Sequence, residues 1–122
     1  MTLFSRSRFL IGTGALALTI AFGGVVEDAQ KLIKDGKYDD AIVLLDKGDA
    51  KQPAVAKALV AAHMGKADFF MSNDQVPPRE KYTTALREYR KVLVYDKTNK
   101  KALDNIKVIE DIYKSMGRPV PQ

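Results

Sequence analysis

The stretch Gly36-Lys37-Tyr38-Asp39-Asp40-Ala41 separates two short amphipathic segments and decides the fold of this chain. Before it, apolar residues recur at helical spacing, and a glycine at this point is typical of a helix end that needs a positive φ. After it, two carboxylates stand in the first turn of the next segment, where they face the positive end of a helix dipole. The stretch therefore predicts a helical hairpin that ends at Pro53.

A second copy of this pattern begins at Lys81, with Tyr82 and Ala85 in the places of Tyr38 and Ala41. The segment from Ala54 to Phe70 is predicted to be the helix that precedes it, with a packing face of Leu59, Ala62, His63, Ala67 and Phe70. The two copies are farther apart than in a compact hairpin repeat. We expect the surplus between residues 66 and 80, where Met71 to Arg79 is predicted to be a loop because Pro77-Pro78 cannot continue a helix.

A last amphipathic helix is predicted from Lys100 to Met116, and Gly117 ends it. Its inward positions are predicted to be Ala102, Leu103, Ile106, Ile109, Ile112 and Tyr113. A single helix after two hairpins would cover the open face of the second one. Residues 118–122 remain as a tail.

Together these positions resemble the tetratricopeptide repeat. In a 34-residue frame, the turn glycine, the tyrosine, the small alanine, a large apolar residue and the closing proline of that family correspond to Gly36, Tyr38, Ala41, Leu45 and Pro53. The resemblance implies an all-α fold. It would consist of two antiparallel repeat hairpins and a capping helix over residues 27–117, after an N-terminal hydrophobic helix.

The resemblance also implies a function, because proteins with these repeats mostly bind peptides or partner helices in a groove lined by the first helix of each repeat. By position, the groove here would be lined by Val26, Gln30, Ile33, Lys57, Val60, Met64, Lys101, Asp104 and Val108. Val26 and Gln30 stand where the chaperone-binding subtype has a lysine and an asparagine that hold a terminal carboxylate. The chain departs from that subtype.

Residues 1–26 have a different character, since Phe9 to Val26 is an uncharged apolar run with Arg6 and Arg8 before it and two acids after it. Its length lies at the lower end of the range for a membrane-spanning helix, and the charges would leave the N-terminus in the cytoplasm. Small residues that would let membrane helices pack closely are Thr13, Gly14, Ala17 and Ala21. The alternative is a signal peptide cleaved near Gly23 or Gly24.

The charge of the chain is uneven: residues 79–122 carry eleven basic and six acidic side chains, whereas residues 27–78 carry seven and nine. A nucleic-acid surface would use Arg87, Arg90, Lys91, Lys97, Lys100 and Lys101. No aromatic-rich strand or recognition-helix motif accompanies them, and an export signal argues against this class, so a solvated helix face is the preferred interpretation.

Catalytic patterns are lacking in the sequence. The chain has one histidine and no cysteine, which excludes disulfides and a thiol nucleophile. His63 falls on an apolar helical face and is interpreted as a packed core residue. We therefore expect no enzyme activity, no metal, no cofactor and no small-molecule substrate.

The sequence thus predicts a protein-interaction module with one N-terminal membrane helix and its repeat domain on the periplasmic side of a bacterial-type inner membrane. It would serve as an accessory subunit or assembly scaffold of a larger membrane complex, for example a respiratory or photosynthetic one. The alternative is a secreted or periplasmic soluble peptide-binding adaptor whose signal is removed.

Overall fold

The computed structural model describes residues 24–122, which are helical apart from short connections and a C-terminal tail. In the described part, α1 occupies residues 24–34. It is followed by α2 (Tyr38–Asp46), α3 (Pro53–Ser72), α4 (Pro78–Tyr95) and α5 (Lys100–Ser115). From α2 onward each helix packs against the next, and the short connections make such neighbours antiparallel. The predicted all-α class is confirmed, since no strand occurs within residues 24–122.

The turn between α1 and α2 has the predicted conformation. Gly36 has a φ of +76°, and the Lys37 N–H donates to the Leu32 carbonyl at 2.8 Å, so the last carbonyls of α1 are satisfied as in a Schellman motif. Asp39 and Asp40 lie in the first turn of α2, as predicted, but no side chain caps this helix. Asp39 instead bonds to Lys66 of α3 at 2.6 Å, so it connects successive helices.

The extra length of the second copy is mostly helix rather than loop. Helices α3 and α4 have 20 and 18 residues, against 9 for α2. The loop predicted from Met71 to Arg79 is reduced to residues 73–77. Pro78 is the first residue of α4, a position that has no intrahelical partner for an N–H and suits the fixed φ of proline. The predicted loop is therefore present, but its bounds were too wide, in part because a proline can start a helix.

The apolar core consists of two clusters that share α3. The first joins α1, α2 and the N-terminal half of α3, and its buried members are Ala29, Ala41, Leu45, Val55, Ala58, Leu59 and Ala62. The second joins the end of α3 to α4 and α5, and its buried members are Ala67, Ala85, Leu86, Tyr89, Val92, Ala102, Ile109 and Tyr113. Helix α3 therefore connects the two halves of the domain.

Helix α5 covers the second cluster through a narrower face than the sequence predicts. Ile109 is fully buried, whereas Leu103, predicted to point inward, is 46% exposed. The prediction for Leu103 was wrong because α5 packs mainly on α4, and the contact covers only part of the apolar stripe. Gly117, with a φ of +67°, ends the helix as predicted, and the Arg118 N–H donates to the Tyr113 carbonyl.

The five residues after Gly117 return to the surface of α4. Val120 packs against the second cluster. The Arg90 guanidinium donates a hydrogen bond of 2.8 Å to the carbonyl of Pro121. The tail therefore forms part of the folded surface beside α4.

Gly65 allows α2 and α3 to approach each other closely. The sequence alone suggests a residue that weakens α3. In the structure, a Cβ atom at position 65 would lie 2.3 Å from Cε1 of the Tyr38 ring. The glycine therefore makes room for an aromatic side chain at the start of α2.

A double-mutant cycle tests this contact. Gly65→Ala is expected to destabilise the chain by about 1 to 2 kcal/mol, because overpacking by the ring costs more than the gain of about 1 kcal/mol in helix propensity. In a Tyr38→Ala background the sign reverses, and the same substitution is expected to stabilise by up to about 1 kcal/mol. Urea unfolding of the four chains measures both values. The same effect in both backgrounds would contradict this account of Gly65.

Candidate functional site

The candidate partner site is the surface formed by corresponding sides of α1, α3 and α5, here named the α1/α3/α5 face. The nine residues predicted to line a groove are distributed over these three helices. Val26 and Ile33 on α1 are half-buried against the first cluster, and Gln30 is exposed. On α3, Val60 and Met64 are half-buried against the second cluster, and Lys57 is exposed. Lys101, Asp104 and Val108 on α5 are exposed.

The charges of this face are largely satisfied within the chain. Lys101 of α5 bonds to Oδ2 of Asp68 on α3, and Asp104 pairs with Lys100 one turn before it. Lys57 is the third charged side chain of the face and is exposed. The side chains left to contact a partner are mainly apolar, namely the partly exposed Val60 and Met64 and the 47% exposed Val108.

Asp68 connects three helices behind this face. Its Oδ1 accepts a hydrogen bond of 2.6 Å from the Tyr89 hydroxyl of α4, while its Oδ2 contacts Lys101 of α5. Burial and the Asp68 carboxylate raise the pKa of Tyr89 far above its usual value of 10.0, so the hydroxyl keeps its proton and remains a donor. Asp68 was not among the site residues predicted from the sequence.

A second polar group lies between the two apolar clusters and is centred on His63. The imidazole Nδ1 and the Glu88 Oε2 are 2.6 Å apart, and both side chains are buried. The ring of Tyr95 stacks on the imidazole, with a centroid distance of 6.1 Å and an interplanar angle of 13°. The prediction that His63 is a packed core residue is confirmed. Its hydrogen-bond partner is the buried carboxylate of Glu88.

Glu88 extends this group into a network across α2, α3 and α4. Its Oε1 lies 3.5 Å from Lys66 Nζ and 3.6 Å from Arg87 Nε, and Lys66 in turn bonds to Asp39. Burial alone would raise the pKa of Glu88. The hydrogen bond with His63 and the positive charges of Lys66 and Arg87 outweigh the effect of burial, so the pKa of Glu88 in the folded chain lies below its usual value of 4.5. The carboxylate therefore stays ionised.

The sequence contains a pattern that indicates a buried position for Glu88. Ala85, Glu88, Tyr89 and Val92 follow one another at helical spacing and are all buried, so the acid interrupts an apolar stripe. A buried charge requires partners, and the acid therefore indicates a polar contact inside the domain. Within residues 24–122, no group of three or more histidine, cysteine or acidic side chains could hold a metal ion.

The predicted membrane segment falls almost entirely outside the described residues. Thr13, Gly14, Ala17 and Ala21 lie outside residues 24–122, and only the end of the apolar run, residues 24–26, forms part of α1. Among the helices from residue 24 onward, none has both the length and the apolarity needed to cross a bilayer.

Comparison with protein-family models gives no match, and neither curated proteins nor solved structures contain a chain that matches this one significantly.

Proposed function

We propose that the chain is a non-catalytic protein-interaction module of the tetratricopeptide-repeat type. In this proposal one N-terminal membrane helix anchors it, and it acts as an accessory subunit or assembly scaffold of a larger membrane protein complex. The observation that carries the proposal is the α1/α3/α5 face. Two of its three charged side chains, Lys101 and Asp104, pair within the chain and Lys57 is exposed, whereas Val60, Met64 and Val108 keep exposed apolar surface.

Such a face suits a partner that makes apolar contacts along three successive helices. Apolar surface rimmed by polar groups is the physical mark of a protein-binding region. Helices α3 and α5 both contribute to the second apolar cluster, and the ion pair between Lys101 and Asp68 also joins them, so the spacing of the apolar side chains is set before a partner arrives. A preformed surface reduces the ordering entropy lost on binding.

A structural rather than catalytic role for His63 supports the non-catalytic part of the proposal. Its side chain is only 5% exposed, and Tyr95 covers one ring face. A general base must instead reach a substrate proton directly or through one water.

The position of the domain relative to the apolar run supports membrane attachment. The run ends at Val26, and residues 24–34 already form α1, so no linker separates the run from the helical domain. A retained anchor would hold the α1/α3/α5 face close to the bilayer, within reach of membrane subunits. Cleavage near Gly24 would instead release a soluble peptide-binding adaptor, which is the second candidate.

The experiment is native extraction of the affinity-tagged full chain in mild detergent, followed by identification of the co-purifying subunits. Val108→Asp is expected to reduce their recovery by about tenfold or more, because a carboxylate would be buried in the interface. The matched control is Val43→Asp on α2, since Val43 is 61% exposed and lies outside the face.

Two results would contradict the proposal. One is recovery of the chain as a free soluble monomer from the periplasmic fraction, with an intact mass that begins near Gly24. The other is an equal loss of subunits in both valine variants, which would disconnect recovery from the α1/α3/α5 face.

A further inference from the structure

We propose that a second surface, beside α4, docks an acidic segment of a partner protein that carries an apolar side chain next to its carboxylates. The surface is a groove between α4 and the C-terminal tail, with a cavity of about 340 Å³. We name it the α4/tail groove; the lining residues used below are Leu86, Arg87, Arg90, Lys91, Val94 and Pro121. It is separate from the α1/α3/α5 face.

Helical spacing and the tail together build the groove. Arg87, Lys91 and Val94 fall on one side of α4 at intervals of four and three residues, so their side chains form a continuous row. The opposite wall is the tail, which is held by the hydrogen bond from Arg90 to the Pro121 carbonyl and by the packing of Val120. The groove is thus part of the folded domain.

The groove combines an apolar floor with a positive rim. Leu86 is buried beneath it, and Val94 is 67% exposed along it. Three cations line it and no Asp or Glu side chain does; Gln122, the last residue of the sequence, lines it as well. The side chain of Arg87 is 57% exposed, and within residues 24–122 no carboxylate oxygen lies within 4.0 Å of Lys91 Nζ. The buried Glu88 lies 3.6 Å from Arg87 Nε through its Oε1 and is bonded to His63 through its Oε2.

This composition selects an acidic peptide over the other anionic partners. Arginine forms paired hydrogen bonds with a carboxylate, and a cavity of this size accepts an apolar side chain beside it. Binding of single-stranded nucleic acid relies on stacking of bases on aromatic rings, and no aromatic ring lines the groove. A bilayer surface is flat and would bridge the cavity without filling it. Three of the six cations of the disfavoured nucleic-acid surface, Arg87, Lys100 and Lys101, also lie in ion pairs.

The test uses the full chain in non-ionic detergent and measures fluorescence anisotropy of a labelled short peptide in which Glu and Leu alternate. We expect this peptide to bind and its matched version with Gln in place of Glu to bind more weakly. Arg87→Gln/Lys91→Gln is expected to reduce affinity for the Glu-Leu peptide by about tenfold, as two exposed charge contacts would. The control Lys31→Gln/Lys34→Gln removes the same charge from α1, where both lysines are exposed, and is expected to leave affinity unchanged.

Several outcomes would overturn the inference. These are no binding of the Glu-Leu peptide, equal binding of the Gln-Leu peptide, an equal loss in the two double variants, or tighter binding of oligothymidine or of mixed micelles that contain phosphatidylglycerol than of the Glu-Leu peptide. The proposed function is tested separately, because Val108 lies on α5 outside the α4/tail groove. Loss of subunits in Val108→Asp without peptide binding would preserve the function and reject this site.

Discussion

Replacement of Glu88 by alanine is expected to destabilise the chain by about 3 to 5 kcal/mol, because it removes one partner from a buried ion network. His63 would lose its hydrogen-bond acceptor, and Lys66, which is only 19% exposed, would lose one of its two carboxylate partners. The measurement is the free energy of unfolding in urea at neutral pH. The matched control is Glu80→Ala in the exposed first turn of the same helix, with an expected cost below about 1 kcal/mol. Similar costs for the two variants would contradict a network role.

The conservative variant Glu88→Gln isolates the charge through its pH dependence. Since the pKa of Glu88 is lower in the folded chain than its usual value of 4.5, the unfolded chain takes up the proton at a higher pH. The stabilisation by this carboxylate is therefore present above about pH 4.5 and is lost as the pH falls through the folded pKa. Glu88→Gln has no such proton to bind. Unfolding free energies measured from neutral to acidic pH should fall less steeply in the variant, and parallel curves would contradict the prediction.

The second large effect is expected at the centre of α5. Ile109→Ala should cost about 2 to 5 kcal/mol, because Ile109 is fully buried in the second cluster and its loss leaves a cavity. Leu103→Ala on the same helix removes exposed surface and should cost less than about 0.5 kcal/mol. Thermal unfolding distinguishes them, since each kcal/mol shifts the Tm of a domain of this size by about 4 to 8 °C.

This pair of variants also tests whether α5 stabilises the second apolar cluster by covering it. If Ile109→Ala unfolds the second cluster, its effect should appear in the tyrosine fluorescence of the chain, because three of its five tyrosines lie in α4. Equal losses of stability in Ile109→Ala and Leu103→Ala would mean that the buried face of α5 does not stabilise the domain.

Local features of the fold could be predicted from the sequence because short-range chemistry sets them. Gly36 and Gly117 end their helices at positive φ, which glycine accepts most readily. The spacing of apolar residues predicted the central helices with small errors at their ends. Pro78 was assigned to a loop because proline stops one helix as readily as it starts another.

Features that depend on a meeting of distant segments could not be predicted. Leu103 shares the periodicity of the buried residues, and only the orientation of α5 on α4 leaves it exposed. Gly65 accommodates Tyr38, which lies in another helix. The pairing of Asp68 with Lys101 depends on how α3 and α5 approach each other, so the sequence alone does not show that Lys101 is neutralised by an ion pair.

Because the core is divided into two apolar clusters, the two parts of the domain are expected to unfold at different mechanical forces. The first cluster is built mostly from alanines, whereas the second contains Tyr89, Ile109 and Tyr113. Structural units with less buried apolar surface open at lower free energy. Opening of α1 and α2 would detach Asp39 from Lys66 but leave the bond from His63 to Glu88 in place. A force applied through the N-terminal segment is therefore expected to unfold the hairpin of α1 and α2 first, while α4, α5 and the tail remain folded.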